Sequence, residues 1–123
     1  MKSIIIIFFL VMSFNTMANV KQSDYVYYQT NETKDAPSGS FAAYMLKMDP
    51  CMRVKVFKTG EVTRYCKMDK SGIDLQAYSP SAWLVEQSVH GNTVSFIVAV
   101  PWGEQNCTIT VTTKSIKCVP TGR

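Results

Sequence analysis

Four cysteines fall in two close pairs, Cys51 with Cys66 and Cys107 with Cys118, and their spacing limits what this chain can become. A pair some dozen residues apart can clip a metal, form a reactive dithiol or staple a hairpin, and the compartment decides between these uses. Four cysteines allow three pairings, and their sequence positions alone do not choose among them. Local geometry ranks them. Between Cys51 and Cys66 the stretch MRVKVFKTGEVTRY reads as two short strands about Lys58-Thr59-Gly60-Glu61, with Met52, Val54 and Val56 alternating against Arg53 and Lys55. Folding that hairpin brings the two cysteines within about a rung of each other, where antiparallel Cα separations of ~4.5–5.5 Å suit a disulfide. CTITVTTKSIKC repeats the design: pairing Cys107 with Cys118 sets Ile109 opposite Ile116, with Val111 on the same side and Thr108, Thr110 and Thr112 on the other. The expected disulfides are therefore Cys51–Cys66 and Cys107–Cys118.

The compartment is read from the start of the chain. Lys2 precedes nine uninterrupted apolar residues, Ile4 to Met12, and Thr16-Met17-Ala18 offers small residues for cleavage. This is the layout of a secretory signal peptide over residues 1–18, and the apolar run is too short for a bilayer core of ~30 Å. The expected mature protein, residues 19–123, is secreted or periplasmic, has no membrane span and makes one domain. A domain this small buries only about 65% of its unfolded surface, so covalent staples are useful to it.

One helix is expected, SPSAWLVEQSVHG. Ser79 fits an N-cap, Pro80 the first helical position, and Gly91 with Asn92 a left-handed stop. Ala82, Val85 and Val89 would form its buried stripe, beside Trp83. TVSFIVAVPW reads as a central strand ended by Pro101, and DYVYYQT and SFAAYMLKM as strands separated by the turn-rich NETKDAPSG. The fold class is mainly β with one helix.

Catalysis finds little support. His90 is the sole histidine and is assigned to the end of the expected helix, while the nine carboxylates are scattered singly. No phosphate-cradling glycine loop and no clustered His/Cys set is present, so no catalytic residue, metal site or cofactor is expected. Formal net charge is +4, and removing Lys2 with the leader lowers it by one, too little to argue for nucleic acid. The basic residues nevertheless cluster, with Lys47, Arg53, Lys55, Lys58, Arg64, Lys67 and Lys70 close in sequence.

What remains is recognition. Tyr25, Tyr27 and Tyr28 crowd one segment and are followed by Gln29 and Thr30, joining flat apolar faces to hydrogen-bonding groups as carbohydrate sites do. The expected glycan-binding residues are Tyr27, Tyr28, Gln29 and Thr30.

From Asn19 to Val100 the chain resembles the receptor-binding B subunits of bacterial toxins of the pertussis, subtilase-cytotoxin and typhoid-toxin type. The resemblance rests on Tyr27-Tyr28 near the mature start, the hairpin closed by Cys51 and Cys66, and the run Gly91-Asn92-Thr93-Val94-Ser95-Phe96-Ile97-Val98 beginning 25 residues after Cys66. It implies a small oligonucleotide/oligosaccharide-binding (OB-like) barrel and a homo-oligomeric ring, a pentamer, that recognises host glycoprotein or glycolipid sugars and delivers a toxin A chain. It also implies a pore-facing or interface helix, here Trp83, Leu84, Glu86 and Gln87. Gln29 stands where the family has a pocket serine, and Cys107 and Cys118 are at hairpin rather than near-adjacent spacing. The alternative reading is a periplasmic inhibitor or immunity protein that inserts the basic tip Lys58-Thr59-Gly60-Glu61 into an acidic cleft of an enzyme or effector.

Overall fold

Alternating burial writes most of the architecture. In the computed structural model, which describes residues 24–31, 36–69 and 72–122, strands β1 (Tyr25–Thr30), β2 (Phe41–Leu46), β3 (Met52–Val56) and β4 (Val62–Tyr65) form one antiparallel sheet in sequence order. Phe41, Ala43, Met45, Met52, Val54 and Tyr65 turn one face of it to the core. A two-stranded ribbon, β5 (Lys67–Met68) with β6 (Ile73–Asp74), leads into the four-residue helix α1 (Leu75–Tyr78). Strands β7 (Trp83–His90), β8 (Thr93–Val100), β9 (Gly103–Thr110) and β10 (Ser115–Pro120) form the second antiparallel sheet, a meander. Leu84, Val89, Val94, Phe96, Val98, Cys107 and Ile109 face the first sheet across a single shared core. Met68, Ile73 and Leu75 join the same core from the ribbon and helix.

The protein is thus mainly β with one short helix and two disulfides. The sheets do not close on one another, so the OB-like barrel is not seen: no strand pairs by hydrogen bonds with both sheets among the described residues. Strands β1 and β7 run beside each other at the open seam. Asn31 ties one end of that seam. Its Oδ1 accepts the Phe41 amide at 2.8 Å, while its Nδ2 donates to the carbonyls of Gly39 at 2.8 Å and Gly91 at 3.2 Å. At the other end Val26, Met45, Pro80, Trp83 and Leu84 border a cleft of about 360 Å³.

Both disulfides form as expected, Cys51–Cys66 with Cα atoms 4.8 Å apart and Cys107–Cys118 at 4.1 Å. The register around the second is the expected one, Cys118 opposite Cys107 and Ile116 opposite Ile109. Edge strand β10 is protected against further pairing, because the Asp69 carboxylate accepts the Cys118 amide at 3.3 Å and Pro120 has no amide to offer.

The expected helix over 79–91 is corrected. Its residues form β7, and the helix lies just upstream, with Asp74 as N-cap accepting the amides of Gln76 and Ala77 and Ser79 as C-cap instead of N-cap. A bulge explains the misreading. The register slips between Val85 and Ser88, with Glu86 at φ 55°, so the inward residues Leu84 and Val89 fall five apart and the period of two is lost. Ala82, Val85 and Val89 then mimic a helical stripe. Gly91 does adopt positive φ, at 54°, but as part of the two-residue Gly-Asn turn joining β7 to β8. Of the residues assigned to a pore-facing helix, Leu84 is buried in the core, Trp83 is exposed, Glu86 sits in the bulge, and Gln87 donates to the Leu84 carbonyl at 3.3 Å.

Residues 1–18, read as a signal peptide, lie outside the described residues. Among the described residues no helix is long and apolar enough to cross a membrane. Two disulfides in a domain of this size fit an extracellular or periplasmic protein.

Candidate functional site

The site is built on the outer face of the first sheet. A bulge in β1 shifts the register between Tyr25 and Tyr27, so Tyr25 and Tyr28, three residues apart, come to lie together. Tyr28 stands opposite Tyr44 of β2, and Tyr44 opposite Arg53 of β3, which stands opposite Arg64 of β4. The next row across the sheet is Thr30, Ala42, Lys55 and Val62. Same-face neighbours on adjacent strands touch, and here that geometry assembles three phenol rings beside a set of cations.

The rings of Tyr25 and Tyr28 meet edge to face with centroids 5.2 Å apart, Tyr25 and Tyr44 likewise at 5.6 Å, and Tyr28 and Tyr44 are tilted at 6.1 Å. With Leu46, Arg53, Lys55 and Phe57 they border a concavity of about 260 Å³. Tyr28 is 50% exposed and Phe57 45%, so the trio is not a piece of hidden core. Burial pushes the Tyr25 hydroxyl above its ordinary pKa, with Tyr28, Tyr44 and Asp24 adding to the effect. It therefore stays neutral at physiological pH, able to donate or accept a hydrogen bond.

Arg53 is held at the rim by Asp49. The Asp49 carboxylate is 8% exposed and takes Arg64 Nε and Nη2, each at 2.8 Å, Arg53 Nε at 2.9 Å and the Cys51 amide at 3.2 Å. Arg64 above all, with Arg53 and the Cys51 amide, holds Asp49 well below the usual carboxylate range against the opposing effect of burial. The cluster anchors the loop before Cys51 to both strands of the stapled hairpin. Two guanidiniums share the one carboxylate, so a positive charge remains. Lys55 is exposed and makes no ion pair among the described residues.

The four residues expected to bind glycan are divided by the strand. Tyr28 and Thr30 lie on the outer face with Tyr44. Tyr27 packs against the core from the other side, and its hydroxyl donates to Gln29 Oε1 at 2.8 Å. Tyr25 and Tyr44 complete the trio in their place. Neither the bulge nor the β1–β2 register is written in either segment alone, so Tyr44, sixteen residues from Tyr28, carried no sequence signal. The alternation in β3, by contrast, already put Arg53 and Lys55 on one side.

No group of three or more His, Cys, Asp or Glu side chains among the described residues is placed to hold a metal ion. Comparison with protein-family models, with curated proteins and with solved structures returned no match. Fold and site together define a disulfide-stapled β domain of two four-stranded sheets with an aromatic and cationic outer face.

Proposed function

We propose that this is a secreted, non-catalytic binding subunit that docks on host cell-surface glycans through the outer face of its first sheet. The observation carrying the reading is the meeting of Tyr25, Tyr28 and Tyr44 in an open concavity, with Thr30 in the neighbouring row and charged groups at the rim. Sugars present apolar C–H patches and hydroxyls together, and tyrosine side chains answer both. In line with the resemblance to toxin B subunits, the subunit acts as a homo-oligomer, a pentameric ring, that carries a toxic A chain. A helix of four residues is too short to line a pore, so such a ring would close through strand edges and exposed apolar groups such as Trp83 and Val26.

A glycan array probed with the mature oxidised protein and with Tyr44→Ala tests the reading. Binding to a defined set of glycans, reduced about tenfold or more by Tyr44→Ala, is expected. Silence across neutral and acidic glycans sinks it.

The β3–β4 tip favours a second reading as an inhibitor or immunity protein. Phe57 and Val62 are exposed there beside Lys58, and the turn is pre-ordered by Gly60 N–H to the Val56 carbonyl at 2.8 Å and Glu61 N–H to Thr59 Oγ1 at 3.2 Å. A rigid basic finger suits an acidic cleft. An empty glycan array would leave this reading as the stronger one.

A further inference from the structure

We infer that the tyrosine platform takes a linear anionic glycan, carrying sulfate or carboxylate groups along its length and lying across strands β1 to β4. The inference rests on the proposed glycan site and names the class of ligand for it. The row Tyr28, Tyr44, Arg53, Arg64 is continuous across four strands. With strands about 4.8 Å apart it spans roughly 14 Å, the reach of a short oligosaccharide. Along that line the surface changes from aromatic to cationic. An extended chain crossing the strands therefore meets rings first and charge next.

The electrostatics select the sign. Among the described residues no carboxylate lines the concavity, although Asp24 acts on Tyr25 from nearby, whereas Arg53 and Lys55 both line it. Asp49 compensates only one of the two guanidiniums it binds, and Asp74 acts on Arg64. The net positive charge left on the Arg53–Asp49–Arg64 cluster, together with the Lys55 ammonium, thus lies next to the rings. Arg53 is pre-oriented by its bond to Asp49, which lowers the cost of ordering it on a ligand. Lys55 supplies a mobile point charge, suited to sulfate and carboxylate alike.

The place of Gln29 argues against a pocket of the family's kind for one terminal sugar: it stands at the position of the family's pocket serine and bonds to Tyr27 on the other side of the strand. The ring geometry argues against nucleic acid. Tyr25 meets both Tyr28 and Tyr44 at interplanar angles of 67° and 83°, so the three rings do not form a parallel ladder on which successive bases could stack.

Titration calorimetry on the mature oxidised protein tests this with five probes: a heparin-derived hexasaccharide, a hexagalacturonate, cellohexaose, sialyllactose and oligo-dT. At about 50 mM salt one or both polyanionic hexasaccharides should bind about tenfold tighter than cellohexaose, and most of that advantage should vanish at about 300 mM. Binding of the hexagalacturonate shows that carboxylates suffice, and binding of the heparin hexasaccharide alone shows that sulfate is required. Lys55→Gln, a change at an exposed side chain, should reduce that advantage severalfold, with the polyanionic hexasaccharides losing more affinity than cellohexaose. Tyr44→Ala should weaken every sugar that binds. Equal affinity for cellohexaose, a preference for sialyllactose or oligo-dT, or indifference to Lys55→Gln overturns the inference while leaving a recognition site. Failure of every probe removes the glycan reading as well.

Discussion

Replacing Asp49 with asparagine tests whether the clamp that joins Arg53 and Arg64 stabilises the fold. The carboxylate is nearly buried and accepts two guanidiniums and one amide. Breaking a fully buried ion pair costs about 3–5 kcal/mol. Here Arg53 and Arg64 keep 29% and 38% of their side chains in water and rehydrate when released. Roughly 2–3 kcal/mol is therefore expected, against a total of about 5–15 kcal/mol for a domain of this kind. That corresponds to a fall in melting temperature on the order of 10 °C, measured by circular dichroism on oxidised protein at neutral pH. The pH dependence follows from the direction of the shift. Asp49 is held low in the folded state, so its contribution is complete above the unfolded aspartate value of ~3.9 and is lost as the pH falls from there through its own lowered value. The gap between parent and variant should stay constant from pH 7 to about pH 5 and narrow only in stronger acid. A variant melting within about 2 °C of the parent at pH 7, or a gap that already closes by about pH 5, refutes the reasoning.

Two further perturbations separate the seam from the staples. Asn31→Ala removes three bonds joining Phe41 and Gly39 to Gly91, and should cost about 2 kcal/mol and speed hydrogen exchange at the Phe41 amide; unchanged exchange there would show that the side chain does not hold the seam. Replacing both Cys107 and Cys118 with alanine opens a loop of sequence separation 11, and by loop-closure entropy should cost about 3 kcal/mol in urea unfolding, with an unchanged midpoint as the contrary result.

Much of the fold was legible because alternation and hairpin spacing are local. Met52 and Val54 against Arg53 and Lys55 define β3, and the rung from Cys107 to Cys118 follows from counting residues. The β7 segment failed for a physical reason. Its bulge adds a residue that no residue of β8 faces directly, and this imitates helical spacing until β8 is present as a partner. The Gly-Asn turn was the one local signal for the hairpin, and left-handed glycine serves helix stops and hairpin turns equally.

By itself the sequence determined the class of structure and the inward and outward faces of the regular strands, and it favoured the two staples over the other pairings. Those properties depend on residue type and on separations of a few positions. Only the tertiary structure decided which outward faces meet. Setting Tyr25 beside Tyr28 takes a bulge whose place is fixed by pairing with β2, and setting Tyr44 beside Arg53 takes the register of β2 on β3. Register is selected by burying Phe41, Ala43, Met45, Met52 and Val54 together on the opposite face. The aromatic and cationic surface is thus a consequence of the core behind it, and becomes visible once that core is assembled.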